Sequence, residues 1–326
     1  MVRAWLAAVL ITMVPTAGFA QACGTVDLID TVTAEERERL DTLVSAHPFA
    51  EGTAFRATKG ENEVIVVGTL HTPDPRFAPV VERLRPHVEA ADLLVLETTS
   101  DAMNDMQSMV TTRPEMFFLT EGPTMIDLLT EEEWALVSEQ LSEIGIPAFF
   151  AAKFQPWYLS MTLAVPPCAM SMLVNGEKGL DFKIEEIAKT EALEIESLDD
   201  LDALMEMMAG GTVDEQLAEF RVMLRAQQDA TASYSTLTEA YFDGRIREGW
   251  EFVRIQIDRM DLPDGEAMFD KIEQALLIDR NRKWEARLPE MIDGKDTIIA
   301  VGAAHLSGES GVVRALERAG YEISRF

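Results

Sequence analysis

The chain has 326 residues, 47% hydrophobic and 26% charged, with 57 acidic residues against 28 basic ones and a net charge of -29. That mixture is too apolar for a disordered chain and lacks the repeats of collagen or a coiled coil. A field of this sign repels phosphate backbones and anionic lipid headgroups, and no basic run interrupts it, so no nucleic-acid partner is expected.

Residues 1–20 read as an export signal. Arg3 supplies the positive start, residues 4–14 are an apolar run, and Gly18, Phe19 and Ala20 form a small-residue cleavage site, with cleavage near Ala20. The run is shorter than the roughly 20 apolar residues of a permanent span, and no later segment qualifies. A secreted or periplasmic single domain over 21–326 is therefore expected, with no membrane span after signal cleavage. The residues before Cys23 lack the leucine of a lipidation site, so no lipid anchor is expected. Cys23 and Cys168 are the only cysteines, and two readings stay open: one bridge in an oxidising compartment, or two unrelated thiols.

The periodicity predicts an acidic helix over 34–45, then strands over 54–58 and 63–67 around a turn at 59–62. The second strand is β-branched and stops at Gly68-Thr69-Leu70-His71. A helix follows over 78–90, and then a strand over 92–96 that ends at Glu97. The middle is mostly helical: 124–142, with a start signal of Thr130 before Glu133, and an apolar stretch over 150–173 broken at Pro156 and Pro166-Pro167. A helix over 181–190 leads to a strand over 192–195 ending at Glu196. Helices then run from 198 through 208, past Gly210-Gly211 and on to 288, with a break near Pro263. Last come a strand over 296–301 that stops at Gly302-Ala303-Ala304-His305, a helix over 311–319 and a strand over 321–325. The order predicts an α/β fold: a central mixed, largely parallel sheet built from both chain ends, with a large helical insertion at about 100–290.

Only four histidines exist, and two share one setting, a buried strand followed by GxxH. With 19 glycines in the chain, that coincidence has a chance frequency on the order of a few per cent. In open α/β sheets ligands bind beyond the carboxyl ends of strands, and a glycine there lets the chain turn sharply toward the crevice. His71, Glu97, Glu196 and His305 all end expected strands, so parallel neighbours would bring them to one edge. Two imidazoles with one or two carboxylates suit a divalent transition metal with an open position for water, and the absence of nearby thiolates argues against a structural zinc. A metal-free alternative uses one histidine as base with a glutamate orienting it. Asp181 reads as a helix cap, Met205, Met207 and Met208 as packing, Lys153, Trp157 and Tyr158 as part of a segment over the crevice, and His47 and His87 as surface residues. Ser307 and Ser310 show no nucleophile arrangement.

The chain resembles the TraB/PrgY/GumN family, which includes the Tiki proteases, from about residue 50 to the C-terminus. The resemblance rests on Val67-Gly68-Thr69-Leu70-His71, LLVLE ending at Glu97, Gly179-Leu180-Asp181, Arg280-Asn281 with Trp284, and above all IIAVGAAHLSGESGVVRALERAGYEI. At the second acid the usual Leu-Glu-Thr is replaced by Ile195-Glu196-Ser197. The resemblance implies a fold shared with erythromycin esterase-like and ChaN-like proteins and, from the Tiki members, metal-dependent proteolysis centred on His71, His305 and Glu97. The expectation is a metal-dependent hydrolase of peptide or ester bonds, acting on a peptide or small-molecule substrate. Mn, Co or Zn would be held by His71, His305, Glu97 and Glu196, and Arg280 would position substrate or an oxyanion. The alternatives are a haem- or tetrapyrrole-binding protein with a histidine axial ligand, and a metal-free His/Glu esterase.

Overall fold

The computed structural model describes residues 23–226, 230–262 and 265–326. The expected signal segment and the expected break near Pro263 lie outside the described residues.

Strands β1 (Ala54–Lys59) and β2 (Asn62–Thr69) form a hairpin in which Lys59 faces Asn62, leaving Gly60 and Glu61 as the turn. Gly60 adopts φ 65°, the left-handed value that tight hairpin turns require. β3 (Leu93–Leu96), β4 (Glu194–Ser197), β5 (Thr297–Gly302) and β6 (Glu322–Arg325) complete a six-stranded sheet in the order β4-β3-β5-β2-β1-β6. The four strands from β4 to β2 run parallel, while β1 is antiparallel to both of its neighbours. This is the expected α/β architecture, with the central strands β2 and β5 drawn from opposite ends of the chain.

Parallel strands are covered on both faces, which is why β3 and most of β5 are apolar without alternation. On one face Val64, Val66, Val95, Ile299 and Val301 pack against Trp284 and Leu288 of helix Asp279–Met291 and against Val313 and Leu316 of helix Val312–Arg318. On the other, Ile65, Val67, Leu94, Ile298 and Ala300 meet Phe77, Leu84 and Val88 of helix Phe77–Ala90 and Leu180 and Ile184 of helix Leu180–Thr190. Each large aliphatic side chain buried this way contributes about 1.5–3 kcal/mol over its exposed state. The two layers therefore hold the carboxyl ends of β2, β3 and β5 firmly side by side.

β4 begins two residues later than expected. The helix Leu180–Thr190 exits through Glu191 and Ala192, where Ala192 takes φ 54° and Leu193 N–H returns to the Ala188 carbonyl. Residue 192 thus closes a helix instead of opening a strand. The shift moves Glu196 from the strand end into its interior, opposite Val95.

Away from the sheet, a separate apolar cluster around Leu141, Leu159 and Phe220 organises the helices of the insertion. Cys23 and Cys168, 145 residues apart in sequence, are joined as a disulfide that ties Cys23 to helix Pro167–Val174. Among the described residues no single helix is long and apolar enough to cross a membrane.

Candidate active site

The parallel register places Gly68 beside Val301 and Thr69 beside Gly302, so the two GxxH turns leave adjacent strands within one residue of each other. Their glycines serve close approach. Gly302 has φ -48°, open to any residue, but a Cβ there would lie 3.1 Å from Glu97 Oε2 and 3.5 Å from both His71 Nε2 and His305 Cδ2. A Cβ on Gly68 would meet Leu306 Cδ1 at 2.7 Å and Ala303 Cα at 3.0 Å. The sharp-turn reason expected for these glycines is therefore replaced by a spatial one: the backbone of β5 forms the floor between the two histidines. Gly179 plays a similar part, because its Cβ would collide with the His71 carbonyl oxygen at 2.4 Å.

Both imidazoles are fixed through Nδ1. His71 Nδ1 lies 2.7 Å from Asp181 Oδ2, and His305 Nδ1–H donates to Asn281 Oδ1 at 2.7 Å while Asn281 Nδ2 donates to the His305 carbonyl at 3.3 Å. His305 is buried and stacks on Trp284, ring centroids 4.4 Å apart. The His71 side chain is 58% exposed. Both Nε2 atoms face the same carboxylate oxygen, Glu97 Oε2, at 3.9 Å from His71 and 3.8 Å from His305. That oxygen also accepts the Gly302 N–H at 2.9 Å.

Arg280 holds the other side of Glu97. Its Nη2 donates to Glu97 Oε1 and to Asp199 Oδ2, its Nε to Asp199 Oδ1 at 3.4 Å, and its Nη1 to the Leu276 carbonyl and to His305 Nε2, both at 3.2 Å. A guanidinium has five N–H groups, and each has a partner here. Arg280, expected to position substrate, holds Glu97 and Asp199 here. Asp199 in turn accepts the Trp284 indole N–H at 2.9 Å, and its own N–H donates to the Glu97 carbonyl at 3.1 Å.

The electrostatics follow from these contacts. Desolvation lowers the His71 pKa, but the hydrogen bond and charge of Asp181, helped by Glu97, outweigh it and lift the group to about 9. Burial pushes His305 down to about 3, so it is a neutral acceptor at Nε2. Desolvation would raise Glu97, yet the surrounding imidazoles and Arg280 hold it below the usual carboxylate range. With His305 neutral, that attraction falls to Arg280 and His71.

His71, Glu97, Arg280 and His305 thus come together. Glu196 does not: it is exposed on the edge strand β4 and makes no hydrogen bond or ion pair with the other four. The acid that does join them is Asp199, three residues later: β4 ends with Ser197 opposite Leu96, and the chain runs on beside Glu97, with the Asp199 N–H on the Glu97 carbonyl. Asp181, read as a cap, is the partner of His71. Among the described residues, no three His, Cys, Asp or Glu side chains already stand at ligand spacing. His47 approaches the buried Glu251 at 3.5 Å, and His87 packs on Phe326, so neither is a free surface residue. Lys153 is exposed, and the Trp157 indole N–H bonds the Met116 carbonyl. The signals for Asp181 and Asn281 were present as neighbours of Gly179 and Arg280; Asp199 carried none beyond being an acid after a strand.

Comparison with the curated proteins found no match. The model of the TraB/PrgY/gumN family matches residues 53–325, from the first sheet strand to the last, and the chain belongs to that family.

Proposed function

We propose that the protein is an exported, metal-dependent hydrolase of ester or peptide bonds, with the reacting carbonyl held beyond the carboxyl ends of β2, β3 and β5. The observation that carries this reading is the pair of imidazoles, each tied through Nδ1 and each turning Nε2 toward Glu97 Oε2. Histidines oriented through their second nitrogen are the usual companions of a metal. Charge agrees, since Asp181, Glu97 and Asp199 face Arg280 and a protonated His71, an excess of one negative charge that becomes two once a cation displaces the His71 proton. Two nitrogens and a carboxylate oxygen suit Mn, Co or Zn. The separations of 3.8 and 3.9 Å exceed the ligand-to-ligand edge of about 3.4 Å around a tetrahedral ion, so the donors are not a closed shell as they stand.

When bound, such an ion supplies Lewis acidity and an activated water near neutral pH. The chain's own residues do the rest. Asp181 fixes the orientation of His71, whose exposed ring is the group placed to exchange a proton with substrate or solvent. Arg280 keeps Glu97 ionised, and Asn281 keeps the His305 Nε2 lone pair turned inward. The Gly302 N–H holds Glu97 Oε2 at the floor.

The metal-free reading has one observation in its favour, the Arg280 Nη1 contact with His305 Nε2, which occupies the lone pair a metal would use. Charged groups, not an apolar slot, stand beside both Nε2 atoms, which lends no support to a tetrapyrrole. Hydrolysis of an ester and peptide panel, measured before and after chelation and after adding back Mn, Co or Zn, separates the first two readings. Loss on chelation with recovery on loading supports the proposal, and activity untouched by chelation overturns it in favour of metal-free chemistry. Export is supported by the Cys23–Cys168 bridge, and the N-terminal sequence of the mature protein tests it.

A further inference from the structure

Two helices leave the active edge together. Ser100–Thr112 starts three residues after Glu97, and Leu201–Ala209 starts two residues after Asp199. The first carries Met103, Met106 and Met109, and the second carries Met205 and Met208. They meet over Phe117 and Trp157, where Met205 is fully buried while Met106, Met109 and Met208 are only partly covered. No residue of helix Ser100–Thr112 is buried, and Met103 is 36% exposed. Met103, Met106, Met109 and Val110 follow helical spacing, a stripe that ordinarily packs into a core. Here it stays half open, beginning about 5 Å and ending about 15 Å beyond Ser100 along the axis, the length of roughly three extended residues. Of the acids on these helices, Asp101 and Asp202 are paired with Lys189 and Arg113. Asp105 and Glu206 are exposed and make no ion pair among the described residues.

We infer that this methionine-lined wall is the substrate-binding surface, and that its occupant is a polypeptide segment bearing apolar side chains and net positive charge. The inference rests on the hydrolase reading for the chemistry, but on the wall itself for recognition. Continuity of both helices with Glu97 and Asp199 leads an apolar chain lying on the wall to the histidines. Methionine is unbranched and adapts to side chains of different shape, so the wall selects apolar character over one sequence. The unpaired Asp105 and Glu206 and the net charge of -29 repel anionic segments and favour Lys- and Arg-bearing ones.

The test is binding of fluorescein-labelled decapeptides, followed by anisotropy at low ionic strength, for the full chain and its variants. A Leu/Lys peptide is expected to bind, a Leu/Glu peptide and a Ser/Lys peptide at least tenfold more weakly. Met103→Gln/Met106→Gln weakens the Leu/Lys complex at least fivefold, Met103→Leu/Met106→Leu retains it, and Val174→Gln, at an exposed apolar residue of helix Pro167–Val174 outside the wall, leaves it within twofold of wild type. Absence of Leu/Lys binding, equal binding of the Ser/Lys peptide, or an undiminished complex with the glutamine variant at unchanged thermal stability overturns the inference. Binding without cleavage of the bound peptide counts against the hydrolase reading alone.

Discussion

Replacing Arg280 with methionine tests how Glu97 is held. The substitution keeps the side chain's length and removes all five N–H groups, leaving Glu97 and Asp199, whose side chains are 12% and 8% exposed, without their cation. Breaking a buried pair by removing one partner costs about 3–5 kcal/mol, because an uncompensated charge stays behind. Two carboxylates share this cation, so the upper part of that range is expected. In a chain of this size each kcal/mol moves the melting temperature by about 2–4 °C, which gives a drop of roughly 8 °C or more. Chemical denaturation at pH 7 followed by circular dichroism reads the loss directly. The double substitution Arg280→Met/Glu97→Gln recovers part of it, since the orphaned charge is gone. Arg280→Lys recovers little, because an ammonium offers three donors that cannot span Glu97, Asp199, Leu276 and His305 together. A single variant within about 1 kcal/mol of wild type would refute the positioning role and return Arg280 to the set of groups free to meet substrate.

Gly302→Ala puts a methyl 3.1 Å from Glu97 Oε2 and is expected to abolish hydrolysis while the fold survives, whereas Gly68→Ala meets Leu306 and the Ala303 backbone and loses about 1–3 kcal/mol of stability; melting curves beside activity separate the two. Glu251 is raised by desolvation but lowered more by His47, Arg247 and Arg254, to about 2. Its folded pKa lies below the unfolded value of 4.5, so its contribution, of order 3 kcal/mol, is complete above pH 4.5 and fades as pH falls toward 2. Glu251→Gln should show a shallower loss of stability across that window, and equal slopes would contradict the assignment. The Cys23–Cys168 bridge closes a loop of 145 residues, so Cys168→Ser is expected to lower stability by about 2–5 kcal/mol, read as a shifted denaturation midpoint that reductant no longer changes.

The centre of the sheet was legible because β2, β3 and β5 are covered on both faces and so appear as apolar runs, and the twin GxxH turns mark where two of them stop. The acidic partner was harder. Local composition favours a strand at Ala192, but the residue is the left-handed exit of a helix, so β4 starts two residues later and Glu196 lies inside it opposite Val95. Asp199 gains its role from a register set by tertiary pairing, which no local pattern announces. The glycines were singled out correctly for the wrong reason, since crowding between β2 and β5 is invisible along one strand. Arg280 was visible as a candidate, yet the saturation of its five donors emerges only when Glu97, Asp199, Leu276 and His305 are brought together from four parts of the chain.

The central claim is that His71 and His305 hold a cation with Glu97. Elemental analysis of the mature protein, purified without chelators or a nickel column and compared with His71→Ala/His305→Ala, tests it most directly. The account predicts about one transition metal per chain in the wild type and none in the double variant. No metal in either protein, even after loading with manganese, cobalt or zinc, would contradict it.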